Sequence, residues 1–170
     1  KNNPYINENL IQSHLPSFKY FYEKCQEVEE LCSEKVFNHV LSKPNLFESK
    51  NAKNIGRNGI PPKYMHDFLL KLFNLTDISE NNYNNNYELT FKNHDPNNLD
   101  NFVPYFTGFK NLSESLPVHY LNEKGILVVK EILWMLNNIY ANIEFSPIVI
   151  QLISLIILFC NKCETFEIMC

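Results

Sequence analysis

Residues 122–159 read NEKGILVVKEILWMLNNIYANIEFSPIVIQLISLIILF, and the fold class follows from the spacing inside them. Asn122-Glu123-Lys124-Gly125 leads into Ile126, Val129, Ile132, Leu133, Leu136 and Ile139. These apolar positions recur at steps of three and four, which defines one face of a helix running to Tyr140. Ser146-Pro147 then reads as a second start signal. It offers a capping hydroxyl followed by proline at the first helical position, where a fixed φ and a missing N–H cost nothing. The helix it opens, Ile148 to about Phe159, is apolar nearly all round. A membrane span needs about 20 apolar residues. This run is bounded by Glu144 and Asn161 and broken by Gln151 and Ser154, so the expectation is a buried central helix.

Working outward, the same period recurs upstream. Phe18, Phe21, Tyr22, Cys25, Val28, Leu31, Cys32, Val36 and Val40 predict one long amphipathic helix over 16–41, stopped by Ser42-Lys43-Pro44. A further helix starts at Pro61-Pro62, carries Tyr64, Met65, Phe68, Leu69, Leu72 and Phe73 inward, and ends near Leu75. Residues 1–15 are polar and read as a loose lead-in. The asparagine-rich stretch at about 79–101 offers too few branched apolar side chains to offset its ordering entropy, and a mobile loop is expected there. Residues 102–120, aromatic and punctuated by proline, read as an irregular segment lying on a helical core. Glu164 to Met169 still reads as helix at the last residue, Cys170, and a fragment of a longer protein is expected.

Composition narrows the class. The 170 residues are 45% hydrophobic and 14% aromatic, enough to bury a core. Four glycines and nine prolines do not suit a turn-rich β protein. A net charge of -4, with scattered lysines, leaves no footprint for nucleic acid. Five cysteines, unevenly placed, do not make a disulfide framework, and a reducing cytoplasmic compartment is expected. Cys160-Asn161-Lys162-Cys163 lacks the second close pair that a structural zinc site needs, so no metal is expected. The five histidines show no metal-ligand spacing, and Gly56 and Gly59 lack the G-K-S/T of a phosphate loop, so no cofactor is expected either.

Arg57 is the single arginine of the chain, and it opens Arg57-Asn58-Gly59-Ile60-Pro61. There glycine permits the turn, isoleucine anchors the loop and proline starts the helix. The segment resembles the R-x-G-I-P signature of TBC domains, the helical GTPase-activating domains for Rab GTPases. A second block, from Phe109 to Met169, strengthens the likeness. It runs through Leu116-Pro117-Val118-His119-Tyr120-Leu121-Asn122-Glu123-Lys124-Gly125 and Ile143-Glu144-Phe145-Ser146-Pro147. It is similar to the divergent TBC domains of the TBC–TLD branch. The resemblance covers roughly residues 55–170, and Met65 and Leu69 stand where the family pattern has an arginine and a tryptophan.

Active family members supply an arginine finger from I-x-x-D-x-x-R and a glutamine finger from Y-x-Q. The arginine would fall within 76–115, where Lys92 and Lys110 are present but no arginine. Lysine lacks the planar fork of a guanidinium. Such an arginine contributes roughly 10³–10⁵ in rate in GTPase systems, so its absence is not a mild defect. The Y-x-Q motif falls on Phe145-Ser146-Pro147, placing Pro147 where the glutamine would be.

The expectation is therefore an all-α protein: an N-terminal helical extension over 1–54, then the N-terminal half of a TBC-like domain over 55–170. The resemblance implies an inactive Rab-binding or membrane-trafficking adaptor, cytoplasmic or peripheral on vesicle membranes, with no catalytic residue. Its expected partner surface comprises Phe102, Tyr105, Phe106, Phe145, Ser146 and Pro147. Three alternatives stand beside it: a module for phosphoinositide head groups, an activator using residues outside this sequence, and an unrelated helical interaction protein.

Overall fold

The computed structural model describes residues 3–7, 34–42, 60, 62–76, 78–92, 103–109 and 120–170. These residues are helical apart from turns and a lone antiparallel bridge, Ile6 to Leu121, so the all-α expectation holds for them. The chain divides into two compact units, Asn9–Asp77 and Lys1–Glu8 with Ile78–Cys170. The smaller unit thus holds both a helix of the expected 1–54 extension and the first helix of the expected 55–170 part.

In the smaller unit, α1 (Glu34–Leu41) pairs with α2 (Pro62–Leu72). Phe37 and Val40 of α1 and Phe68 of α2 are buried, with Leu41, Ile60, Tyr64 and Leu72 packed around them. Phe37 and Tyr64 stack with ring centroids 4.3 Å apart and planes 10° apart. Helix α2 ends through Asn74, whose φ of 54° is left-handed, and the N–H of Leu75 reaches back to the carbonyl of Leu70 at 2.8 Å. That turn satisfies carbonyls that a helix end otherwise leaves orphaned. The remainder of the helix expected over 16–41 lies outside the described residues.

The larger unit is built on α4 (Glu123–Ile139), which packs against α3 (Glu80–Phe91), α5 (Ile148–Ile156) and α6 (Lys162–Met169). Asn122 caps α4 by accepting from the N–H of Gly125 at 2.9 Å. Val129, Ile132, Leu133 and Leu136 are buried as their spacing predicts, and so are Val128, Glu131 and Met135. Neighbours on several sides bury more than one stripe, so α4 is the central helix. Helix α5 was expected in that place. It buries Ile150, Ile153, Ser154 and Ile156, but it leaves Ile148, Leu152 and Leu155 exposed. Helix α6 opens with a capping box: Asn161 accepts from the N–H of Glu164 at 3.0 Å, and Glu164 accepts from the N–H of Asn161 at 2.7 Å.

Two segments differ from their sequence reading. The first is α3, in the stretch expected to be a loop. Ser79 caps it, its hydroxyl accepting from the N–H of Asn81 at 3.2 Å. Tyr83, Tyr87 and Phe91 sit four residues apart and form a ladder, with centroid distances of 6.2 and 4.9 Å. Tyr83 is fully buried and meets Phe166 edge-on at 5.7 Å. One aromatic stripe at helical spacing offsets the weak helix propensity of the five asparagines between and beside it. Residues 93–101 of the expected loop lie outside the described residues.

The second is the N-terminal segment, expected to be loose. Residues 3–7 cross three helix ends. The N–H of Asn7 donates to Tyr120 O and the N–H of Asn122 to Tyr5 O, both at 2.9 Å. The Asn122 side-chain amide donates to Pro4 O at 2.7 Å and Ile6 O at 3.3 Å. Asn3 donates to Ile157 O at 2.9 Å and Leu158 O at 2.7 Å, where α5 runs out. Orphan carbonyls at a helix end need such donors, and this segment provides them.

Candidate partner surface

Among the described residues of the larger unit, Tyr105, Phe145, Ile148, Leu152 and Leu155 are exposed apolar side chains on two irregular segments and the helix that follows them, while Leu89, Ile139 and Tyr140 are exposed elsewhere. Residues 103–109 make a tight 3₁₀ turn over Tyr105–Thr107. The Thr107 hydroxyl donates to Pro104 O at 2.8 Å and accepts from the N–H of Phe109 at 3.3 Å. Gly108 then turns the chain with a φ of 73°. That left-handed angle favours glycine; a Cβ there would also lie 2.5 Å from Phe145 Cε2 and would push that exposed ring aside. The second segment is bound to the first through its backbone: the N–H of Ser146 donates to Phe106 O at 2.6 Å.

This junction leaves Tyr105 93% exposed and Phe145 70% exposed, both held on an anchored backbone. Ile148, Leu152 and Leu155 carry the exposed apolar surface along α5, at a spacing that keeps them on one helix face. Singly exposed apolar residues are ordinary, but a large contiguous apolar patch marks an interaction site.

The expected surface residues thus separate. Tyr105 and Phe145 are presented to solvent, and Ser146 and Pro147 are half-buried beside them. Phe106, at 2% exposure, is a core residue: its ring holds the turn down and is not available to a partner. The Ser146 hydroxyl makes no cap, since Pro147 takes the N-cap position with helical angles and the backbone of Ser146 serves the junction instead. Phe102 lies outside the described residues, as do Arg57, Gly59 and Pro61. Ile60 is half-buried against the core of the smaller unit. Sequence reasoning missed Ile148, Leu152 and Leu155, because an all-round apolar run does not reveal which of its faces stays uncovered.

A polar cluster lies deeper, between α3, α4 and α6. The Tyr83 hydroxyl donates to Glu131 Oε2 at 2.7 Å, and Lys162 Nζ sits 4.7 Å above the Tyr83 ring. Burial pushes the Glu131 carboxyl above its usual range, with the Tyr83 hydrogen bond and the Lys162 charge pulling the other way. Tyr83 is held well above the ordinary phenol range by burial and by Glu131, so it stays a neutral donor. Cys160 is buried and its thiol is pushed up to about 12, while burial also raises Cys163. Thiols so raised are poor nucleophiles at neutral pH. Among the described residues no three His, Cys, Asp or Glu side chains gather as a metal site, and no helix is long and apolar enough to cross a membrane.

No family model, no curated protein and no solved structure matches this chain.

Proposed function

We propose that the chain is a helical interaction module in membrane trafficking. It meets a small GTPase of the Rab type through Tyr105, Phe145 and the outer face of α5, without accelerating GTP hydrolysis. The observation that carries the reading is the junction between the 103–109 turn and Phe145-Ser146. A short backbone hydrogen bond and a glycine contact hold two exposed aromatic rings on fixed backbone next to an uncovered apolar helix face. Rigid aromatic anchors beside aliphatic surface are the chemistry of a protein interface, since little side-chain entropy is lost when they are covered. The choice of GTPase rests on the motif resemblance of Arg57–Pro61 and of residues 109–169. The inactive assignment rests on the lack of an arginine within 76–115 and on Pro147 in the glutamine place.

The test is binding to a panel of Rab GTPases loaded with GTP or GDP, with hydrolysis followed on any pair that binds. The expected result is selective binding of a GTP-loaded member with its hydrolysis rate unchanged within about twofold, against the roughly 10³–10⁵ that an arginine finger contributes. Acceleration of tenfold or more would contradict the inactive assignment.

A further inference from the structure

Glu131 of α4 is 7% exposed and stands where several elements meet. From α3, the Tyr83 hydroxyl donates to Glu131 Oε2 at 2.7 Å, and Tyr83 is itself fully buried. From α6, Lys162 and Cys163 face the same cluster, and Tyr5 faces it from the N-terminal segment. Glu80 of α3 and Glu164 and Glu167 of α6 add negative charge at its edge, beside Cys163. A carboxylate in such a place is costly unless its charge is compensated. The helix that supplies Tyr83 has little propensity of its own, since five of its 12 residues are asparagine. It buries Tyr83 and Phe91, against eight residues buried by α4. Its other ties are an exposed hydrogen bond from the Asn82 amide to Glu167 Oε1 at 2.8 Å and a long one from Asn138 to Thr90 at 3.5 Å.

We propose that α3 is a detachable helix whose docking on α4 and α6 is set by the charge of Glu131: it stays docked while the carboxyl is protonated and opens in a growing fraction of molecules as the carboxyl ionises. Opening α3 takes Tyr83 off Glu131 and lets water reach the carboxylate. It also uncovers the edge of Phe166 that the Tyr83 ring meets at 5.7 Å. The element with the fewest buried residues and the poorest propensity is the one that gives way, since local openings draw on the least stable parts of a fold. The sign follows from burial, which holds the Glu131 carboxyl above its ordinary value of 4.5 against the pull of Tyr83 and Lys162. Docking is therefore strongest below that value and weakens as pH rises through the folded one. This goes beyond a loss of overall stability, because α4 and its remaining neighbours stay in place while α3 leaves.

The experiment is native-state amide hydrogen exchange on the full chain at about pH 5 and about pH 8, expressed as protection factors so that the intrinsic pH dependence of exchange cancels. Amides of α3 from Tyr83 to Phe91 should lose protection by about fivefold or more at the higher pH, while those of Val129, Ile132 and Leu133 in α4 keep theirs. In Glu131→Gln the α3 amides should show no such change. Loss of protection by α3 and α4 together, α3 protection that does not vary with pH, or a pH dependence that survives Glu131→Gln would each overturn the proposal. Should Glu131→Gln fail to fold, Tyr83→Phe decides, because it keeps the ring and removes the donor. It should lower α3 protection more at pH 8, where the carboxylate needs that donor, than at pH 5. An equal effect at both pH values, or none, would overturn the proposal.

Discussion

At the residue scale, Glu131 shows what a short stretch of sequence conceals. Within Val128-Val129-Lys130-Glu131-Ile132-Leu133 it reads as the polar edge of an amphipathic helix. It is 7% exposed because α3 and α6 both pack on α4 around it. The pH consequence follows from the direction of its shift. A carboxyl whose folded pKa lies above its unfolded value favours folding in its protonated form. That contribution is present below the ordinary carboxyl pKa of 4.5 and is lost as pH rises through the raised folded value. Glu131→Gln keeps an acceptor for Tyr83 and removes the buried charge. We expect it to be at least as stable as the parent at pH 7, with the difference shrinking as pH falls toward 4.5, as measured by urea denaturation across pH. A variant that is less stable at pH 7 would mean that the Lys162 charge outweighs burial.

At the element scale, legibility depended on whether one period dominated. Val129, Ile132, Leu133 and Leu136 gave α4 because one apolar stripe exceeds everything else in that stretch. The capping box at Asn161 and Glu164 went unread, because the stretch drew attention only as Cys160-Asn161-Lys162-Cys163, although the residue types at its first and fourth positions announce a helix start. Helix α3 was not legible from composition. Five asparagines mask the three aromatic residues, which become decisive once α4 and α6 are present to pack against. If α3 holds against its own propensity, improving that propensity at exposed positions should stabilise the protein. Asn84 and Asn85 are exposed, and Asn84→Ala with Asn85→Ala should together add about 1 kcal/mol. Thermal unfolding measures it. No gain, or a loss, would mean that these positions are not helical in solution. The N-terminal segment was illegible for a different reason. Its partners are carbonyls at the ends of helices far away in sequence, and no local pattern announces them.

At the scale of the whole molecule, the candidate surface was half legible. Tyr105 and Phe145 stood out as aromatic residues in irregular segments and are presented to solvent. Phe106 stood out equally and is buried, because a 3₁₀ turn sends neighbouring side chains to different sides. The outer face of α5 could be recognised only once α4 had taken the central place. These residues belong to one functional account only if a partner covers them together. The most direct measurement is titration of the chain, and of its Phe145→Ser, Leu152→Lys variant, against the GTP-loaded Rab panel, with thermal unfolding of both run in parallel. Both substituted side chains are exposed, so the unfolding temperature should stay nearly unchanged. The account predicts that the GTPase bound by the parent binds the variant at least thirtyfold more weakly, about 2 kcal/mol for two interface positions. Equal affinity of the two proteins, or a parent that binds no member of the panel, would contradict it.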